Sequence, residues 1–192
     1  MIGDLHLQKS KNRARIKVVH GRKQQEYYKY KTSILGEYLR SEDKNYLQGY
    51  SKVGTISNNT LSSVELLEIA NKWEHNKSEI LSEFDDRAWA FAFMDNGSYH
   101  KGCARLHVNR LSIEDATIIS TSLNNRYGIN TEVRDYKGST ICFPIADYDL
   151  FCSYTGRYFH PSMSYKLRSP FDFEPGYNDS LGYALETVTD IS

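Results

Sequence analysis

The sequence predicts an α/β (α+β) protein built from two related halves with antiparallel strands, and three observations carry this prediction. Short sequence matches recur at a nearly constant offset of 90 to 92 residues. Strand-like segments alternate basic and apolar side chains, and helix-like segments carry recognisable cap and stop residues. Ala-Arg-Ile-Lys-Val at 14–18 recurs as Ala-Arg-Leu-His-Val at 104–108, with weaker matches of 3–4 to 95–97 and of 34–36 to 126–128.

The strand prediction rests on side-chain alternation. Residues 13–19 alternate basic and apolar side chains, and residues 104–108 repeat the pattern. A period of two is typical of a half-buried strand with one face on the core and a cationic face outward. Further strands are predicted near residues 51–57 and 139–145.

Helices are predicted over residues 22–39, 62–74 and 112–127. Ser112 is an N-cap candidate for the last of these, and Gly128 supplies its C-terminal stop. Ser62 or Ser63 can cap the middle helix, whose apolar face would contain Val64, Leu67, Ala70 and Trp73.

The charge is uneven although the net charge is zero. Residues 1–40 hold ten Lys or Arg and three acids, whereas residues 170–192 hold five acids and no Lys or Arg. This asymmetry is expected of a nucleic-acid binder with a separate acidic appendage, although an ordinary solvated surface also explains it.

Several classes of protein are disfavoured by the sequence. No apolar run is long enough for a membrane span, and the first residues do not form a signal peptide. The three cysteines are widely spaced without Cys-x-x-Cys, so neither a disulfide framework nor a zinc site is indicated. We expect an intracellular protein, whether in the cytoplasm, a nucleoid, a phage-infected cell or an organelle.

Four segments together resemble one known family. Residues 87–98 read Arg-Ala-Trp-Ala-Phe-Ala-Phe-Met-Asp-Asn-Gly-Ser. They are similar to the second signature helix of LAGLIDADG homing endonucleases, which usually ends in Met-Asp-Asp-Gly-Ser. Residues 3–9 resemble the end of the first signature helix, residues 20–27 the helix after the first hairpin, and residues 158–167 the closing segment. The resemblance spans about residues 3–168.

The resemblance implies two αββαββα halves, about residues 1–80 and 84–168, that pack through their signature helices about a pseudo-twofold axis. It implies an origin in an intron- or intein-associated endonuclease, with a curved antiparallel ribbon from each half in the DNA major groove. Arg and Lys on the exposed faces would contact guanine edges and phosphates. The candidate nucleic-acid-binding residues are Arg13, Arg15, Lys17, Arg105, His107 and Lys137.

The resemblance also implies a catalytic pair of carboxylates that hold Mg²⁺ at the scissile phosphates. Asp4 matches the first carboxylate, whereas Asn96 stands where the family has the second. An amide oxygen can ligate Mg²⁺ but brings no negative charge, and Asp95 points about 100° away on a helix. Only Met1 and Ile2 precede Gly3, so we expect a shortened first helix. Mg²⁺ is the expected cofactor if the protein is active, and none otherwise.

Three functions stay open on the sequence alone. The first is a binder of double-stranded DNA, or of structured RNA as a maturase, with lost or weakened cleavage. The second is an active Mg²⁺-dependent endonuclease, either as a single chain or as a dimer formed by self-association. The third is a protein-interaction module that uses the former DNA face or the acidic tail at 169–192. An HNH nuclease is a minor alternative, suggested by His100, His107 and Asn109, but zinc-binding cysteine pairs are absent.

Overall fold

The computed structural model describes residues 5–40, 44–46, 54–100 and 102–168. The chain divides into two compact units, residues 1–80 and 81–192. Asp4 and the acidic tail at 169–192 lie outside the described residues. No helix in the described ranges is long and apolar enough to cross a membrane.

The first unit contains a four-stranded antiparallel sheet in the order β1-β2-β4-β3. Its strands are β1 Leu5–Lys9, β2 Ala14–Gly21, β3 Lys44–Tyr46 and β4 Thr55–Asn59. Its helices are α1 Gln25–Leu35 and α2 Val64–His75, and α3 Lys77–Ser82 leads into the second unit. Single 3-10 turns, Arg22–Gln24 and Gly36–Tyr38, flank α1.

The second unit has a second antiparallel sheet in the order β5-β6-β8-β7, which is the same arrangement of consecutive strands. Its strands are β5 Gly97–His100, β6 Cys103–His107, β7 Glu132–Asp135 and β8 Ser139–Phe143. Its helices are α4 Asp86–Asn96, α5 Ile113–Tyr127 and α6 Ile145–Thr155. The closing 3-10 segments are Gly156–Tyr158 and Pro161–Lys166.

The predicted alternation in β2 is confirmed by burial in the first unit. Ala14 and Val18 are buried at 1% and 0% exposure, while Arg15 and Lys17 on the other face are half-buried. Val18 packs in a core cluster with Tyr28 of α1 and Ile56 of β4. The apolar face of β2 therefore fixes which face of the sheet carries the cationic side chains.

The core of the second unit is built around the fully buried ring of Phe93 in α4. Its centroid lies 5.9 Å from Phe143, 5.3 Å from Tyr148, 5.6 Å from Phe151 and 6.2 Å from Phe159. Aromatic rings at such distances pack in offset or edge-to-face pairs that contribute beyond simple area burial. The apolar run of the predicted signature helix is thus the centre of a core, and it anchors the polar end of α4.

One detail of the predicted helix faces is wrong. Val64 was expected on the apolar face of α2, but it is 49% exposed, whereas Ala70 in the middle of that helix is 1% exposed. Val64 is the first helical residue, directly after the cap Ser63, whose hydroxyl accepts a hydrogen bond from Leu66 N. The buried face therefore covers the middle of α2 and does not extend to its first residue.

Candidate nucleic-acid interface

The outward face of the first sheet is defined by its strand register. Residues that pair directly across antiparallel strands point to the same face. His6 pairs with Lys17, which pairs in turn with Asn59, and Gln8 pairs with Arg15. These five side chains therefore share the face opposite to the buried Ala14 and Val18.

Arg15 is held in place on this face by its strand neighbour. Its Nε donates a hydrogen bond of 2.8 Å to Gln8 Oε1. Arg13, by contrast, is exposed in the turn between β1 and β2, where its carbonyl oxygen accepts a hydrogen bond of 2.8 Å from Ser10 N. Lys17 is half-buried on the strand itself. The three predicted basic residues thus lie on one ribbon, but in different settings.

The outward face of the second sheet has a matching place for an arginine. Ser98 pairs with Arg105, and Arg105 pairs with Cys142. The Ser98–Arg105 pair lies 90 residues after the Gln8–Arg15 pair, the offset seen in the sequence repeat. The guanidinium of Arg105 lies 5.1 Å from the centroid of the Tyr136 ring, and its Nε contacts Cys103 Sγ at 3.4 Å.

His107 lies on the same face but is not a cation there. Its Nε2 lies 2.9 Å from Ser98 Oγ. Burial, followed by the positive charges of Arg105 and Lys166, lowers the pKa of His107 below its usual value of 6.5. The imidazole is therefore neutral at pH 7, and it offers a hydrogen bond instead of a charge.

Lys137 lies in the turn between β7 and β8 and not on a strand face, although the sequence grouped it with the ribbon residues. Its φ of 61° is positive, and the turn is closed by a 3.0 Å hydrogen bond from Gly138 N to Asp135 Oδ1. Lys137 is exposed. A lysine in such a turn has a mobile ammonium that suits a phosphate contact better than a base contact.

Helix α4 places Asn96 directly before the first residue of strand β5. Asp85 caps the start of the helix by accepting a 2.8 Å hydrogen bond from Ala88 N. Asn96 is the last helical residue and is half-buried, and Gly97 begins β5 without a linker. A Cβ on Gly97 would collide with the ring and carbonyl oxygen of Phe93, so this abrupt change from helix to strand requires glycine.

Lys166 is a residue that the sequence prediction missed. It is only 9% exposed, and its Nζ donates a 2.8 Å hydrogen bond to the carbonyl oxygen of Asp95. Its own carbonyl oxygen accepts a 3.0 Å hydrogen bond from Tyr148 Oη. A cation at a helix C-terminus satisfies a carbonyl that has no partner within the helix, and it interacts favourably with the helix dipole. The sequence signal that could have indicated this buried lysine is its position between Tyr165 and Leu167 in the closing segment.

The described groups at this helix end are a poor set of ligands for Mg²⁺. Mg²⁺ prefers carboxylate oxygens, whereas Asn96 offers a neutral amide and Lys166 brings a positive charge beside Asp95. Among the described residues, no group of three or more His, Cys, Asp and Glu side chains could hold a metal ion. The predicted partner Asp4 lies outside the described residues. The residues described at the end of α4 therefore do not fit a Mg²⁺ site by themselves.

Comparisons with known proteins give one family and several similar folds. The model of the LAGLIDADG DNA endonuclease family matches residues 1–151. The homing endonuclease I-WcaI, bound to its DNA recognition sequence, matches with a TM-score of 0.77 and 21% identity, covering 87% of this chain and 81% of that one. No curated protein matches the chain in sequence.

Two further solved structures are similar at lower scores. A variant of I-DmoI in complex with its target DNA and Mn has a TM-score of 0.55 and 15% identity, over 84% of this chain and 92% of that one. Full-length DUF199/WhiA from Thermatoga maritima has a TM-score of 0.53 and 13% identity, over 97% of this chain and 63% of that one. At these identities the likeness concerns the fold.

Proposed function

Because the chain belongs to the LAGLIDADG DNA endonuclease family, we propose that it binds double-stranded DNA at a specific site and that its cleavage activity is lost or weakened. The observation that carries the binding proposal is the matching placement of Arg15 and Arg105 on the outward faces of two sheets with the same strand order. The observation that carries the cleavage proposal is an amide, Asn96, at the end of α4.

Binding would use the two sheet faces as ribbons in the major groove. An antiparallel ribbon fits that groove, and its side chains reach base edges and phosphates. I-WcaI, whose fold this chain shares, is described as bound to its DNA recognition sequence. Arg13, Lys17 and Lys137 would contact phosphates, while Arg15 and Arg105 face the base edges.

Cleavage would be weak because the last residue of α4 is the amide Asn96 and not a carboxylate. Asn96 cannot neutralise a divalent cation, and the Lys166 ammonium beside Asp95 opposes cation binding. Asp4 would be the remaining acidic ligand, and a single carboxylate favours cutting of one strand at most.

The test is to incubate the protein with genomic DNA of its host and of the element that carries its gene. Retention of fragments and cutting of fragments are scored separately, in EDTA and in Mg²⁺ or Mn²⁺. We expect sequence-selective retention in EDTA, with no cutting or only nicking in the metal buffers. Efficient double-strand cutting that Asp4→Ala abolishes would establish an active endonuclease. Absence of retention at low salt would favour a protein-interaction module instead.

A further inference from the structure

Two arginines stand out from the rest because of how their side chains are held. In Arg15 and in Arg105, the Nε is engaged by a neighbour on the outward face: Gln8 Oε1 at 2.8 Å in one, Cys103 Sγ at 3.4 Å in the other. Within the described part of the chain, neither side chain makes a further hydrogen bond or an ion pair through its two terminal nitrogens. Both are half-buried on strands β2 and β6.

Two other arginines, Arg134 and Arg126, donate hydrogen bonds to acidic side chains through their terminal nitrogens. Arg134, also on the second sheet, donates from Nε and Nη2 to Glu132 Oε2 and from Nη1 to Tyr136 Oη. Arg126 donates to Asp86 at 2.9 Å through Nη2. Both guanidinium groups therefore already use terminal nitrogens for partners within the protein.

An arginine held only by Nε presents a rigid two-pronged donor. The guanidinium is planar, so a hydrogen bond at Nε restrains the plane and leaves both terminal NH₂ groups available as donors. Guanine O6 and N7 form the acceptor pair that matches this fork in the major groove. Stacking on Tyr136 further restricts the Arg105 guanidinium, which reduces the conformational entropy that DNA binding would remove.

We infer that Arg15 and Arg105 each read one guanine of the target, and that Gln8 and Cys103 are positioning residues for these two forks. The inference rests on the proposed DNA-binding function, and it identifies which residues specify sequence. Lys17 and the turn residues Arg13 and Lys137 then supply affinity that does not depend on sequence. The target would contain two separate G·C pairs, each recognised by a different unit of the protein.

The test is selection of bound duplexes from a pool with a randomised segment, in EDTA, followed by sequencing. We expect the unmodified protein to enrich a motif that contains guanines. Arg15→Lys should remove the guanine preference at one position, and Arg105→Lys at another, because lysine keeps the charge but loses the fork. Affinity for the best sequence should fall about tenfold or more in each variant. The other positions of the motif should persist, which also shows that the variant is folded.

The positioning residues give a readout that a merely structural role would not produce. Gln8→Ala should weaken the preference at the same position as Arg15→Lys, and Cys103→Ala at the same position as Arg105→Lys. Arg126→Lys is the matched control, and its motif should equal that of the unmodified protein because Nε and Nη2 of Arg126 already donate to Asp86.

The possible failures are distinct. If the unmodified protein enriches no motif, both the proposed function and this inference are overturned. If it enriches a motif that Arg15→Lys and Arg105→Lys leave intact, DNA binding stands and the guanine assignment is wrong. If Arg126→Lys abolishes a guanine preference as strongly as Arg105→Lys does, the availability of the terminal nitrogens does not explain which arginines read the sequence.

Discussion

Removing the two basic side chains Arg13 and Lys17 should flatten the salt dependence of DNA binding. Arg13 is exposed in the β1–β2 turn and Lys17 lies on the outward face of β2. Among the described residues neither forms an ion pair, so both charges are available to phosphates. The double variant Arg13→Ala/Lys17→Ala tests whether the first sheet contacts the DNA backbone.

The magnitude follows from counterion release. Each phosphate contact contributes about 0.9 to the slope of log affinity against log salt, so two contacts contribute about 1.8. Over a fourfold rise in salt, the unmodified protein should therefore lose about twelvefold more affinity than the double variant. Fluorescence anisotropy on a labelled duplex without a target site measures this slope, because phosphate contacts do not depend on sequence.

The matched control removes the same charge from the helix side of the first unit. Lys9 and Lys72 lie 2.6 Å and 2.9 Å from the carboxylates of Glu74 and Glu79. Exposed ion pairs of this kind contribute little stability, so Lys9→Ala/Lys72→Ala should fold normally and keep the original slope. Equal slopes for all three proteins would refute the assignment of the DNA face. An equal flattening in the control would show that net charge, and not contact, sets the slope.

Three further outcomes are expected. Asn96→Asp should raise Mg²⁺-dependent nicking or cutting in a plasmid assay, and no gain would mean that the rest of the site is not intact. The pKa of His107 is lowered in the folded protein, so the unfolded chain binds this proton more readily. The free energy of unfolding should therefore fall as pH drops from about 6.5 toward the lower folded-state pKa. Thermal unfolding of His107→Gln should lack this part of the pH dependence. Gly97→Ala should cost about 1–3 kcal/mol in urea unfolding because of the collision with Phe93, whereas Gly21→Ala, whose Cβ would meet no atom within 4 Å, should cost little.

Local chemistry is the part of the fold that the sequence predicts well. Helix α5 was expected at 112–127 and is found at Ile113–Tyr127. The Ser112 hydroxyl accepts a 3.1 Å hydrogen bond from Asp115 N, and Gly128 takes the left-handed conformation at φ 66°. Both signals depend only on neighbours within a few residues, so no tertiary information is needed.

Elements that depend on distant partners were implied by the family resemblance, but periodicity did not locate them. Strands β3, β5 and β7 have three or four residues, and too few side chains to show a period of two. They are sheet-edge strands whose formation depends on pairing with β4, β6 and β8. The turn position of Lys137 was predictable in principle, because Asp-Tyr-Lys-Gly at 135–138 is a turn signal.

The candidate site divides in the same way. Alternation alone predicted the outward direction of Arg15, Lys17 and Arg105, because burial of one strand face determines the other. It could not predict that Gln8 would contact the Nε of Arg15 or that Cys103 would contact the Nε of Arg105, since each contact requires a particular rotamer and neighbour. Whether these side chains contact DNA stays a prediction.

The hydrogen bond from Lys166 to Asp95 has a consequence for the order of folding during synthesis. The two residues are 71 positions apart, and His160 N also reaches back 66 positions to Met94 Sδ. Helix α4 and the strands that follow it therefore leave the ribosome well before the segment that contacts the C-terminal end of the helix. Loops of that length are closed late because their entropy must be lost first. A nascent chain that stops before residue 160 would bury much of the aromatic core and still leave the Asn96 end of α4 unfinished.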